Sequence, residues 1–71
     1  MKIYDKIYLL NNNYINECVK KGSIGYIIEV YNDGAYEVEF SNSITGETIA
    51  QLVLNENEIE LRSHEQILRE R

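Results

Sequence analysis

The sequence contains few of the residues that most often carry chemistry. It has one cysteine, Cys18, and one histidine, His64, which excludes an internal disulfide and a zinc site built from cysteines. No apolar run is long enough to span a membrane, and the first residues lack the apolar segment of a signal peptide. We therefore expect a cytoplasmic protein.

Basic residues are missing from the middle of the chain. All seven Lys and Arg lie within residues 2–21 and 62–71, whereas residues 22–61 contain eight acidic residues. One interpretation is a solvated surface that keeps the protein soluble, and the other is an acidic surface that binds a basic partner. Both weigh against nucleic acid, because phosphate binding depends on Lys and Arg.

No motif of catalysis or of cofactor binding is present. Catalysis needs a nucleophile, an acid–base pair or a metal set held together, yet Cys18 and His64 are far apart in the sequence. Cys18 is expected to pack as a small hydrophobe and His64 to be a surface residue. The spacing of the acids does not resemble a calcium loop. We predict a protein that is not an enzyme, with no catalytic residues, no metal and no cofactor.

The clearest structural signal is a β-hairpin over residues 22–40. Its apolar residues alternate with acidic ones, which is the pattern of strands with one face on a core. The apolar set is Ile24, Tyr26, Ile28, Val30, Tyr36, Val38 and Phe40. Pairing Val30 with Tyr36, and Ile28 with Val38, keeps this set on one face. That register leaves a three-residue loop, 32–34, in which Gly34 takes the left-handed position.

The remaining segments complete an all-β pattern. We predict strands over 3–9, 48–54 and 59–61, a helical turn within 14–19, a 3₁₀ turn at 55–58 and a helix over 63–69. The predicted fold is a small five-stranded SH3-like barrel with a short C-terminal helix, in which residues 1–71 form one domain (barrel 2–62, helical tail 63–71). Seven residues should share its core: Ile7, Leu9, Ile28, Val30, Val38, Phe40 and Leu52. The alternative is an open sheet of three or four strands backed by the C-terminal helix.

Several of these segments together resemble a known family. The matching stretches are Asp5 with Ile7, Lys20-Lys21-Gly22 with Gly25, Glu29-Val30, Tyr36-Glu37-Val38-Glu39-Phe40, and Thr48-Ile49-Ala50 with Leu52 and Leu54. The chain is similar over residues 2–61 to short bacterial proteins, frequent in cyanobacteria, that are known only as a domain of unknown function with an SH3-like barrel. The Asn-rich first loop departs from that family, whose members tend to carry acids and proline there. The resemblance implies no catalytic residues, and it would fit a small antitoxin or immunity protein.

The predicted function is protein binding through one acidic, tyrosine-bearing face. In the predicted register Glu29 and Glu37 stand opposite each other on the outer face of the hairpin, where like charges destabilise a sheet. The candidate partner-binding residues are Glu29, Glu37, Glu39, Tyr31, Asp33 and Tyr8. We expect a basic protein partner, such as a toxin domain, no nucleic acid, no membrane, and a monomer or small homo-oligomer. The alternatives are a nucleic-acid-associated SH3-like or KOW-like barrel and an accessory subunit of an enzyme complex.

Overall fold

The computed structural model describes residues 1–62, which form one five-stranded antiparallel sheet. The strands are β1 (Lys6–Leu9), β2 (Ile24–Val30), β3 (Ala35–Ser41), β4 (Thr48–Asn55) and β5 (Ile59–Leu61), and two 3₁₀ turns cover Ile15–Glu17 and Glu56–Glu58. The order across the sheet is β4-β3-β2-β1-β5. The all-β prediction, its five strands and both short helical turns are confirmed.

The sheet is open within residues 1–62. Its two edges are β4 and β5, and they do not pair with each other, so the predicted closure into a barrel is not borne out. The 3₁₀ turn after β4 carries the chain to the opposite edge, where the three residues of β5 pair with β1. The predicted helix over 63–69 lies outside the described residues. No helix among residues 1–62 is long and apolar enough to cross a membrane.

The central hairpin closes with the predicted loop. Val30 pairs with Tyr36, and the Tyr31 N–H donates to the Ala35 carbonyl at 2.9 Å. Three residues, 32–34, then connect the strands, and Gly34 has a φ of 92°. Glycine adopts this left-handed conformation without a steric penalty, which explains why it ends the loop.

Farther from the loop, a β-bulge at Ile28 of β2 changes the register of its pairing with β3. Ile27 pairs with Val38 in place of Ile28, because the bulge places one extra residue in β2. The side chains of residues 24–27 therefore point to the opposite face from the one predicted. Ile27 is fully buried, whereas Ile28 is only partly buried and Val30 is 42% exposed. The predicted places of Ile28 and Val30 in the core are wrong.

The same change of register points residue 25 into the core. Gly25 lies opposite Phe40, at a close approach of β2 to β3. A Cβ at this position would lie 2.7 Å from Cγ1 of Val38 and 2.9 Å from the carbonyl oxygen of Glu39. Such distances are too short for any side chain, so glycine is needed here for space.

The core lies on one face of the sheet and includes a residue from the first loop. Its buried members are Ile7, Leu9, Val19, Ile27, Tyr36, Val38, Phe40, Ala50, Leu54 and Ile59, with Tyr14 and Leu52 packed against them. The predicted core positions of Ile7, Leu9, Val38 and Phe40 are confirmed, and Leu52 is partly buried. Burial of these side chains is the main stabilising term of so small a chain.

Besides the buried Val19, the first loop is held by polar contacts and not by its cysteine. Cys18 is exposed and has a φ of 66° at the end of the first 3₁₀ turn, so the expectation that it packs in the core is wrong. Glu58, from the second 3₁₀ turn, instead accepts hydrogen bonds from the Tyr14 hydroxyl at 2.6 Å and from the Asn11 amide at 3.3 Å. These contacts join the Asn-rich loop to the turn that precedes β5.

Asp5 has a structural role at the start of the sheet. Asp5 lies just before β1, where its carboxylate accepts the backbone N–H of Lys2 at 2.9 Å and forms an ion pair with the Lys2 ammonium group at 3.2 Å. The backbone hydrogen bond is the largest cause of the lowered pKa of Asp5. Asp5 therefore holds the segment before β1 through a hydrogen bond from the backbone.

Candidate protein-binding surface

Glu29 and Glu37 form a like-charged pair on the outer face of the central hairpin. They are directly paired across β2 and β3, as predicted, because the bulge at Ile28 ends before Glu29. Glu29 is exposed and Glu37 is partly buried. Opposed like charges destabilise a sheet by about 0.2–1 kcal/mol, so the sequence keeps this pair at a cost to stability.

Tyr31 connects this pair to the end of the hairpin. Its hydroxyl donates a hydrogen bond to Oε1 of Glu37 at 2.5 Å. That bond is the main cause of the raised pKa of Tyr31, followed by desolvation and then by the charges of Glu37, Glu29 and Asp33. The tyrosine is therefore held neutral beside three carboxylates, and the residue is 38% exposed.

Two further acidic residues lie next to the pair and already have structural contacts. Asp33 accepts the backbone N–H of Ala35 at 3.1 Å inside the hairpin loop, a local bond that favours the turn. Glu39 follows Glu37 on the same face of β3 and accepts a hydrogen bond from the Thr48 hydroxyl of β4. The structure thus brings five predicted residues together, and we call Glu29, Tyr31, Asp33, Glu37 and Glu39 the acidic face.

Tyr8 is the predicted site residue that lies apart from the acidic face. It is on β1, which β2 separates from β3, and it is paired with Ile24 on one side and Glu60 on the other. Its hydroxyl donates to Oε2 of Glu60 at 3.0 Å, and this bond is the main cause of its raised pKa. Tyr8 therefore has its own carboxylate partner, and any role in binding stays a prediction.

No cation within residues 1–62 forms an ion pair with the acidic face. The ion pair in this part of the chain joins Lys2 and Asp5. Lys6 places its ammonium nitrogen 5.8 Å from the centroid of the Tyr26 ring and makes no ion pair with the acidic face. The described residues therefore leave the Glu29–Glu37 repulsion without a neutralising partner.

The family that matches this chain is described as a domain of unknown function (DUF4926), and the match covers residues 3–61. The chain belongs to this family. The match extends over the whole sheet of this DUF4926 domain, from before β1 to the last residue of β5. Among curated proteins and solved structures, none matches it. Membership of a family of domains of unknown function, predicted from the hairpin motif and its flanking residues, is confirmed.

The DUF4926 domain repeats one type of contact that the sequence interpretation missed. Tyr8, Tyr14 and Tyr31 each donate a hydroxyl hydrogen bond to a glutamate, at 3.0, 2.6 and 2.5 Å. The Tyr31 contact could have been found, because the predicted hairpin register places Tyr31 close to Glu37. The other two join residues 44 or more positions apart and depend on how the first loop and β5 pack.

The described residues contain no cluster that resembles a metal site. Within residues 1–62, no three His, Cys, Asp or Glu side chains converge in a way that could hold a metal ion. The carboxylates of the acidic face are spread along the strands and the hairpin loop, and three of them accept hydrogen bonds from other residues of the chain. What this arrangement offers chemically is negative charge and acceptor oxygens for cationic groups.

Proposed function

We propose that this protein is a non-enzymatic binding module that recognises a basic protein through the acidic face. The observation that carries the proposal is the direct opposition of Glu29 and Glu37 with no ion-pair partner among residues 1–62. A lysine or arginine from a partner would remove the repulsion and gain charge-assisted hydrogen bonds. The free protein would thus give up some stability that binding recovers.

The chemistry of the face favours an arginine or lysine on the partner. A guanidinium group has several donors in a planar fork, so that it can bond to both Glu29 and Glu37. Tyr31 adds rigid amphipathic contact area beside the carboxylates, which is typical of protein interfaces. Because its hydroxyl is already bonded to Glu37, the tyrosine also holds that carboxylate in place for a partner.

The finer form of the proposal is a small cytoplasmic antitoxin or immunity protein with an SH3-like fold. The strand order, with β1 between β2 and β5 and a 3₁₀ turn before β5, supports an SH3-like arrangement even though the sheet is open. The partner would then be a basic toxin domain, such as a nuclease, whose cationic nucleic-acid site an acidic inhibitor could cover. Inhibition of such an enzyme by the purified protein would test this form.

The acidic face is tested by removing its two opposed charges. The double variant Glu29→Gln, Glu37→Gln should keep or raise the melting temperature, since up to about 1 kcal/mol of repulsion is lost. The same variant should weaken binding of a short arginine-rich peptide, measured by NMR titration of the labelled full chain, with the largest loss at low ionic strength. In the unmodified protein the peptide should shift the amide signals of Glu29, Tyr31 and Glu37.

A matched control removes two charges elsewhere. Glu47 and Glu56 are exposed and lie outside the acidic face, so Glu47→Gln with Glu56→Gln changes the net charge equally. This control should bind the peptide almost as well as the unmodified protein. If both double variants lose affinity equally, only overall charge matters and the site is refuted. A lower melting temperature with unchanged binding for Glu29→Gln, Glu37→Gln would make the two acids structural.

A further inference from the structure

The outer edge of β4 differs from the other surfaces of this acidic protein. β4 is the longest strand, with eight residues, and within residues 1–62 no strand pairs with its outer edge. None of its residues, TIAQLVLN, is charged, and none is proline. Natural edge strands are usually protected by lysine, proline or a central bulge. Here the only irregularity lies at the start of the strand, where Ser41 pairs with Thr48, so that residues 50–55 are regular.

The backbone groups available at this edge follow from the ladder between β3 and β4. The carbonyl of Ala35 accepts the N–H of Tyr31, which directly follows β2, and in an antiparallel sheet successive residues alternate between their two neighbours. Tyr36 and Val38 therefore bond to β4, through their partners Leu54 and Leu52. The alternate β4 residues, among them Gln51 and Val53, direct their N–H and C=O groups to the open edge. These groups could form a complete second ladder.

The side chains of β4 are all uncharged, and several of them are exposed to solvent. Val53 lies on the outer face and is 58% exposed, and Ile49, at the irregular start of the strand, is 42% exposed, while Leu52 on the core face is only partly buried. Exposed β-branched residues on a regular, uncharged edge are the features that favour pairing with another strand. A strand that pairs with β4 finds no charged side chain there to bind, so an uncharged strand suits this edge.

We propose that β4 pairs antiparallel with β4 of a second copy of this chain, forming a homodimer with its two-fold axis near Leu52. In this register Leu52 faces Leu52 on the core side, and Gln51 faces Val53 on the outer side. The regular stretch that pairs is residues 50–55, and the acids nearest to it, Glu47 and Glu56, lie outside this stretch. No like charges are therefore opposed, although each chain carries a net charge of −5.

A second copy suits this edge better than continued growth through both edges. The opposite edge is β5, which has three residues and carries Glu60, so pairing of β4 with β5 of another copy would join strands of unequal length. Pairing of β4 with β4 uses the same strand twice and leaves no long edge open, so it closes as a dimer. One strand from each copy makes a small interface, below about 1,200 Å², so we expect reversible association.

The first test measures the mass of the full chain in solution over a range of concentrations. Sedimentation should show a monomer–dimer equilibrium. Val53→Lys places a lysine on the exposed outer face of the edge and should raise the dissociation constant at least tenfold. Ile44→Lys is the matched control, because Ile44 is 91% exposed in the β3–β4 loop and away from the edge. This control should leave the dissociation constant within twofold of the unmodified value.

A second measurement needs no variant, so the proposal stays testable even if Val53→Lys folds poorly. Amide hydrogen exchange of Gln51 and Val53 should slow as the protein concentration rises, because these amides point to the open edge. The amides of Leu52 and Leu54, which point to β3, should change much less. A protein that stays monomeric near millimolar concentration overturns the proposal, as does a dimer that Val53→Lys leaves intact. Protection of Gln51 and Val53 at every dilution would also overturn it, since a segment of the same chain would then cover the edge.

Discussion

Glu58 shows how one side chain fixes both the longest loop and the last turn. Its carboxylate accepts the Tyr14 hydroxyl at 2.6 Å, the Asn11 amide at 3.3 Å and the backbone N–H of Asn55 at 3.0 Å. Burial alone would raise its pKa, but the hydrogen bonds from Asn55, Tyr14 and Asn11 together lower the pKa below its usual 4.5. The hydrogen bond between Tyr14 and Glu58 is the main cause that raises the pKa of Tyr14 to about 12.

These shifts predict a pH dependence of stability with a definite sign. A carboxylate whose pKa is lower in the folded chain stabilises fully above its unfolded value and loses this contribution as the pH falls through the folded pKa. Glu58→Gln should therefore be less stable than the unmodified protein at neutral pH, and the difference should shrink in acid below pH 4.5. Urea unfolding of both proteins at several pH values measures this difference.

A control for this titration is Glu47→Gln, which changes an exposed carboxylate in the β3–β4 loop. Its stability should follow that of the unmodified protein across the same pH range. If Glu58→Gln keeps a constant difference from the unmodified protein at all pH values, the glutamate acts through packing or hydrogen bonding that does not depend on its charge.

The acidic face shows how far single residues could be predicted from the sequence. The pairing of Glu29 with Glu37 followed from the alternation of the hairpin and from the length of its loop, both local features. Local pattern could not place Cys18 or Glu58, because their surroundings depend on a loop that folds back over distant residues. The short asparagine-rich segment has no hydrophobic periodicity, so its packing against the sheet could not be predicted from the sequence.

At the scale of elements, the bulge in β2 is the feature that the sequence pattern hid. In residues 24–30 the alternation is broken only at Ile27 and Ile28, two adjacent apolar residues, and the pattern does not decide which of them faces the core. The bulge is favoured because it buries Ile27 and places Gly25 where β2 and β3 approach closely, while the turn end keeps its own register. Tertiary packing thus overrides the simple alternation, as happens often in strands.

The bulge can be tested with two neighbouring isoleucines. Ile27 is fully buried among core side chains, whereas Ile28 is partly buried and lies outside the core cluster. Ile27→Ala should cost about 2–5 kcal/mol of unfolding free energy, the usual range for a buried isoleucine. Ile28→Ala should cost clearly less, because fewer contacts are lost. Urea unfolding of the two variants decides the register, since the regular alternation predicts the opposite order.

The fold of the whole molecule was predictable in its class and its strand positions but not in its closure. Hydrophobic alternation and turn residues indicate where each strand lies, which is why all five were found. Whether a sheet closes depends on how its edge strands meet, and for β4 and β5 this is decided by the turn at Glu56–Glu58 rather than by either strand. The residue pattern of a single strand contains no information on whether the two edge strands pair.

The distribution of charge over the whole molecule gives a last prediction, about nucleic acid. Residues 22–61 contain no Lys or Arg, so every strand from β2 to β5 lacks a basic side chain. In the first 21 residues, Lys2 is paired with Asp5 and Lys6 is placed over Tyr26, which leaves Lys20 and Lys21 as the only adjacent basic pair there. Strong binding to DNA or RNA depends on neutralising many phosphates, typically 6–10 for tight complexes.

We therefore expect no binding of DNA or RNA beyond the weak non-specific level of about 10⁻⁴–10⁻⁶ M at physiological salt. Fluorescence anisotropy with labelled single- and double-stranded oligonucleotides measures this directly. Lys20→Gln with Lys21→Gln should remove whatever weak, salt-sensitive signal is present, because these two lysines are the adjacent basic pair before β2. Submicromolar affinity that falls steeply with added salt would instead favour a nucleic-acid-associated protein over the acidic-face proposal, because a chain without cations on β2–β5 would then have to recruit phosphates through its two ends.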